Sequence, residues 1–211
     1  KDGSLSNGSA CGNEFASERA MASRFIVDSL CYLAKEYKLD GFRFDLMGLL
    51  DIHTLNTAAE KLRRINPSII LYGEGWTGGK SPLPERLRAM KKNAVKLPQY
   101  AMFSDDFRDG VKGSVFEDEE CGYVNGNASE LSEMMKSVIS GGIYRMDVQR
   151  KRSECWTDTP QQVMNYVEAH DNLTLFDKLR ISMPEASGQE RVSVDKLAAA
   201  LVFLSEGIPF M

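Results

Sequence analysis

The sequence predicts an α/β fold, a partial (β/α)8 TIM barrel, from three observations. Residues 17–75 spell helix, strand, helix, strand. The strands are short, nearly continuous apolar runs between amphipathic helices, the pattern of a parallel sheet covered by helices. Carboxylates stand where strands run out, at Asp45, Glu74 and Asp171, and a barrel keeps its chemistry at the carboxyl ends of several different strands. An open doubly wound sheet fits the alternation too, but no GxGxxG or P-loop follows any strand, so it is the weaker reading.

Residues 4–13, SLSNGSACGN, are small and polar and read as a loop. From about Ser17 to Tyr37, Ala22, Phe25, Ile26, Leu30, Leu33 and Tyr37 recur at helical spacing. Lys35 and Lys38 suit the negative end of that helix, and Asp40-Gly41 turns the chain. Phe42–Leu46 reads as a strand. Asp51 is an N-cap candidate for a helix with Ile52, Leu55, Ala59, Leu62 and Ile65 on one face. Asn66-Pro67 stops it, and Ile69–Tyr72 is the next strand.

The middle is less regular. Residues 77–100 read as loop with a short helix near 84–92, Tyr100–Ser104 as a strand, and 105–128, acidic and Gly-rich, mostly as loop. A helix is expected at about 128–140, broken by Gly141-Gly142. Val163–Glu168 reads as a strand, a short helix follows at about 173–180, and 182–190 is loop. Ser193 is the expected cap of a last helix carrying Leu197, Leu201 and Leu204, closed by Gly207. Residues 208–211 begin one more strand.

Composition excludes several classes. Hydrophobic residues make up 43% and charged residues 27%, as in ordinary globular domains. The net charge of −4 is spread along the chain, which argues against nucleic acid as a partner. No apolar run reaches the ~18–20 residues of a membrane span. The four cysteines, Cys11, Cys31, Cys121 and Cys155, form no CxxC pair, so no metal site is expected and they read as free thiols. The chain starts Lys1-Asp2-Gly3-Ser4 and stops within the apolar run Gly207-Ile208-Pro209-Phe210-Met211, so residues 1–211 are expected to be an internal fragment of a longer protein.

Three short stretches carry candidate chemistry. In DGFRFDLMG (40–48), strand alternation puts Phe42 and Phe44 on one face, toward helices, and Arg43 and Asp45 on the other, about 6–7 Å apart. On this stretch alone, a structural ion pair and an ionised working carboxylate are equally good readings. In YGEGW (72–76), Glu74 sits between glycines, as a turn residue does, yet it ends an apolar strand and Trp76 follows with an aromatic face. In YVEAHDN (166–172), His170 adjoins Asp171. The only other histidine, His53, starts a helix and reads as a surface residue. Two carboxylates flanking a glycosidic bond are the minimum for glycoside hydrolysis. GxSxG and HExxH motifs are absent.

These same stretches, GFRFDLMG, YGEGW and YVEAHDN, resemble the ordered motifs of the alpha-amylase superfamily of glycoside hydrolases. In form they look most like type I pullulanase, a debranching enzyme. SNGSACGNEFASE, FRDGVKGSVF and LSEGIPFM resemble it as well, so the likeness covers nearly the whole chain. It implies a retaining double displacement that hydrolyses alpha-1,6 branch linkages in pullulan, starch or glycogen. Asp45 matches the nucleophile, Glu74 the general acid/base, and Asp171 the third carboxylate, which holds sugar hydroxyls. Arg43 matches the arginine beside the nucleophile, His170 a sugar-contacting histidine, and Trp76 an aromatic contact to a glucose ring.

The resemblance also implies a barrel running from the helix before strand 4 into strand 8. The N-terminal barrel strands, carbohydrate-binding modules and C-terminal β domain would lie outside this chain, and the piece alone is expected to be inactive. The implied partner is an alpha-glucan. No cofactor is required; a structural calcium is compatible with the family, but no ligand set is readable here. The competing readings are isoamylase or glycogen debranching enzyme from the same superfamily, and a non-catalytic glucan-binding homologue. The presence of all three carboxylates weighs against the last.

Overall fold

A computed structural model describes residues 3–148, 152 and 155–211. The chain divides into two units, Lys1–Met102 and Phe103–Met211, with the boundary inside one short strand. It is an α/β fold: helices alternate with strands, and the strand pairings within each unit are parallel.

The first unit opens with helix α1 (Ala20–Glu36), whose core-facing residues are Val27 and Ala34. Of the residues at helical spacing, Ala22, Ile26, Leu30 and Leu33 are partly buried, whereas Phe25 and Tyr37 are both 65% exposed. Phe25 instead packs against Phe15, ring centroids 6.2 Å apart. Strand β1 is Gly41–Phe44, and β2 is Ile70–Gly73; they pair in parallel with Phe44 opposite Gly73. Between them runs α2 (Ile52–Ile65). Its cap is the one the sequence predicts, Asp51 accepting the Thr54 N–H at 2.9 Å, and it buries Leu55, Ala58, Ala59 and Leu62.

A single helix near 84–92 does not form; two 3-10 turns, Glu85–Leu87 and Lys91–Lys96, take its place. The chain is extended at Arg88 and Met90, and the Ala89 and Lys91 N–H groups donate to the Leu50 and Gly75 carbonyls rather than to a helical ladder. Strand β3 (Ala101–Phe103) pairs with β2 at Tyr72↔Ala101 and Gly73↔Met102. Beneath this pairing the fully buried Tyr100 donates its hydroxyl to the Leu55 carbonyl at 2.7 Å. It also packs edge-on to Phe44.

In the second unit, Asp105–Lys112 is a helix, α3, where the sequence suggested loop. Ser104 caps it by accepting the Phe107 N–H, and Asp105 and Asp106 favour the positive end of its dipole. Helix α4 is Ala128–Ile139. Strand β4 (Val163–Asn165) is shorter than expected and pairs in parallel with β5 (Ile208–Pro209). Helices α5 (Leu175–Ser182) and α6 (Gly188–Leu204) lie between them in sequence. The cap of α6 is Ser187, not Ser193: Ser187 and Glu190 form a reciprocal capping box, so the helix begins five residues before the predicted cap. Phe107, Val111, Met135, Val138, Val167, Leu175, Leu179, Ala198 and Val202 form the core of this unit.

All four cysteines are free thiols. No helix among the described residues is long and apolar enough to cross a membrane.

Candidate active site

The parallel register of β1 and β2 decides where the first two candidate carboxylates stand. Phe44 lies opposite Gly73, and the Glu74 N–H extends the ladder to the Phe44 carbonyl at 3.1 Å. Asp45 and Glu74 are therefore the first residues beyond two hydrogen-bonded strand ends. The glycines around Glu74 permit this. A Cβ on Gly73 would lie 2.5 Å from the Phe44 carbonyl oxygen, and one on Gly75 would lie 2.7–2.9 Å from Lys91 and Met102. Glu74 is flanked by glycine because its neighbouring strand and turn approach at backbone distance, a reason that the sequence alone does not supply.

Arg43 joins the two carboxylates. Its Nη1 donates to Asp45 Oδ1 at 2.7 Å, and its Nη2 donates to Glu74 Oε1 at 2.8 Å. Alternation correctly put Arg43 and Asp45 on one side of the strand; the pair turns out to be a triad that spans two strands. The surroundings of the carboxylates differ. The Asp45 side chain is 72% exposed, whereas Glu74 is buried at 7%. Glu74 Oε2 also accepts the Leu46 N–H at 2.7 Å. Leu46 reaches it by adopting a left-handed backbone, φ 40°, ψ 46°, which bulky residues rarely occupy. The sequence gives no signal for this backbone donor.

Trp76 is half-buried. Its carbonyl accepts the Gly48 N–H at 3.1 Å, and the Glu74 carbonyl accepts the same N–H at 3.0 Å. Gly48 thus ties the turn after β1 to the turn that carries Glu74 and Trp76.

His170 and Asp171 belong to the second unit. They lie in the loop between β4 and α5, both exposed, with His170 Nε2 3.6 Å from Asp171 Oδ1. The next residue, Asn172, is left-handed at φ 65°. Behind the loop, the Arg108 Nη1 donates to the Tyr166 hydroxyl at 2.9 Å, while its other nitrogens grip Asp109 at 2.6 and 3.0 Å. Burial opposes the charge of Arg108, but Asp109 and Tyr166 outweigh it and hold the guanidinium more firmly protonated than usual. Burial also pushes the Lys112 ammonium down to about 8, with Arg108 adding to the effect and Glu168 opposing it. Sequence reasoning did not single out these residues; their signal is charge on the apolar face of a helix that was read as loop. Among the described residues no group of three His, Cys, Asp or Glu side chains could hold a metal ion.

In chemical terms, the first unit presents an exposed carboxylate and a buried one within the span of a single guanidinium, on rigid strand ends. That is the kind of pairing that glycoside hydrolysis uses.

No protein-family model matches the chain. A pullulanase of Bacillus subtilis (strain 168) is 39% identical over 209 residues, 99% of this chain and 28% of its own length. A pullulanase from Anoxybacillus sp. LM18-11, crystallised with maltotriose, is 43% identical and superposes with a TM-score of 0.90 over 98% of this chain and 28% of its own. The type I pullulanase of Bacillus subtilis str. 168, crystallised with maltose, superposes at 0.92 with 39% identity over the same shares. The chain spans a little over a quarter of the length of these relatives.

Proposed function

We propose that this type I pullulanase-like chain is the part of a debranching glycoside hydrolase that supplies its nucleophile and its acid/base. The substrate class is an alpha-glucan with alpha-1,6 branch linkages: pullulan, starch or glycogen. The observation that carries the reading is the Arg43 bridge between Asp45 and Glu74 at the ends of adjacent parallel strands. The wider frame is a (β/α)8 barrel of which residues 1–211 form an internal portion.

Asp45, exposed and held by Arg43, attacks the anomeric carbon. The bond from that carbon to the leaving O6 breaks, and Glu74 gives its proton to the oxygen. Water then attacks the glycosyl–Asp45 ester, Glu74 takes the water's proton, and the carboxylate of Asp45 is released with the anomeric configuration retained. In the arrangement described above both oxygens of Glu74 accept hydrogen bonds. The Leu46 donor is fixed backbone, so the Arg43 arm is the one that yields to the leaving oxygen. Arg43 holds Asp45 in place for attack and again when its carboxylate is released. Asp171 and His170 hold sugar hydroxyls, and Trp76 stacks on a ring. This two-carboxylate chemistry runs without a cofactor.

Product analysis on pullulan tests the reading. A full-length protein carrying this sequence should release maltotriose, and Glu74→Gln should abolish turnover while leaving glucan binding. No cleavage by the unaltered protein, or full activity in the Gln variant, sinks it.

A further inference from the structure

Glu168 stands two residues before His170, and it closes the loop that carries His170 and Asp171. Its Oε2 accepts the N–H of Leu175, the first residue of α5, at 2.5 Å. That amide is one of the donors a helix start leaves unpaired, and the positive end of the helix dipole favours a carboxylate there. The two ends of the loop are core residues: Val167 is 2% exposed and Leu175 1%. Between them His170, Asp171 and Asn172 are exposed. Glu168 is therefore the polar tie across the base of a loop whose tip faces solvent. Charges on two further helices interact with it. The ammonium of Lys112, on α3, is attracted to it, and Asp195, on α6, is repelled by it. The start of the loop is held independently by Arg108 on the Tyr166 hydroxyl.

We infer that Glu168 is a positioning residue: by bonding the start of α5 it sets the place and orientation of Asp171 relative to substrate. The inference rests on the reading of Asp171 as a substrate-holding carboxylate. The bond needs an acceptor and the full reach of a glutamate side chain. Gln supplies both, Ala supplies neither, and Asp falls one methylene short.

Steady-state kinetics on pullulan with the full-length protein test this. Glu168→Ala should lower kcat by about 10²-fold, the scale of a misplacement near 1 Å, with KM little changed. Glu168→Gln should restore kcat to within about threefold of the unaltered protein. If the Ala variant does not fold, Glu168→Asp should still lose tenfold or more in kcat. A lower melting temperature with kcat per folded molecule unchanged marks a structural role only and overturns the inference. So does equal loss in the Ala and Gln variants, or an Asp variant of normal kcat. Asp171→Asn separates the two levels. An active Asn variant sinks the assignment of Asp171 itself, whereas an inactive one beside a fully active Glu168→Ala sinks this inference alone.

Discussion

The Leu46 amide donates to Glu74 Oε2 at 2.7 Å, and it does so from a left-handed backbone that leucine rarely adopts. With the Arg43 arm at 2.8 Å on Oε1, a buried carboxylate is oriented by one backbone donor and one side-chain donor, each from beside a neighbouring strand end. The backbone donor cannot be removed by changing a side chain, so the guanidinium is the part open to test.

Arg43→Lys should therefore cost more than a conservative change suggests. Lysine is a point charge on a flexible stem and cannot present two parallel arms to two carboxylates. The expected result is a fall in kcat/KM of about 10²-fold, since the reacting groups lose their mutual placement. Arg43→Ala should fall further and lose about 1–2 kcal/mol of stability, because Glu74 at 7% exposure keeps only the Leu46 donor. Kinetics together with urea unfolding checks both. Near-normal kcat/KM in the Lys variant would mean that one cationic contact is enough.

Gly48→Ala should be disruptive for a steric reason. Its Cβ would sit 2.3 Å from the Trp76 carbonyl oxygen and 2.6 Å from the carbonyl carbon, backbone atoms that cannot rotate away. The same glycine donates to the Glu74 and Trp76 carbonyls. A loss of about 2–3 kcal/mol in urea unfolding is expected. Gly188→Ala is the control. Nothing lies within 4 Å of its added Cβ, and it opens α6. It should be neutral or stabilising by up to ~1 kcal/mol.

Much of this was legible in the sequence. Asp51, Asn66-Pro67 and the apolar runs mark α2 and β2 because cap chemistry and periodicity are local. The Arg43–Asp45 pairing was legible because alternation in a strand is local too. What was not legible is what depends on distant backbone. The reason for glycines at 73 and 75 lies in Phe44, Lys91 and Met102, and the donor from Leu46 depends on a strained turn. Helix α3 was missed because the glycine and acidic residues of 105–112 suggest loop, although Ser104 followed by Asp105-Asp106 is a helix start. Helix α1 was legible from its periodicity, which shows which residues share a face and says nothing of what covers it.

The start of α6 gives a paired test of cap reading. Ser187 accepts the Glu190 N–H and Glu190 answers to the Ser187 N–H, whereas the Ser193 hydroxyl donates back to the Gln189 carbonyl inside the helix. Ser187→Ala should cost about 1 kcal/mol. Ser193→Ala should be neutral or slightly stabilising, since back-bonding of this kind does not favour a helix. Denaturant midpoints of the two variants decide; a larger loss at 193 would restore the cap predicted from sequence.

Lys112 sets a pH dependence whose sign is opposite to that of an ordinary paired lysine. Its side chain is 2% exposed, and burial lowers it from the usual 10.5 to about 8. Below pH 8 it is protonated both folded and unfolded, and the fold carries the full cost of a buried charge. Between about 8 and 10.5 the unfolded chain binds more protons than the folded one, so stability attributable to this residue rises with pH across that window. Other groups titrate there as well, so the measurement is a difference between the unaltered protein and Lys112→Met at matched pH. Met removes the charge and keeps an unbranched apolar stem. It should be the more stable variant at pH 7, by roughly 2–3 kcal/mol, and the gap should close as pH approaches 10.5. A gap independent of pH would mean that Lys112 keeps its proton in the fold, with Glu168 compensating the burial in full.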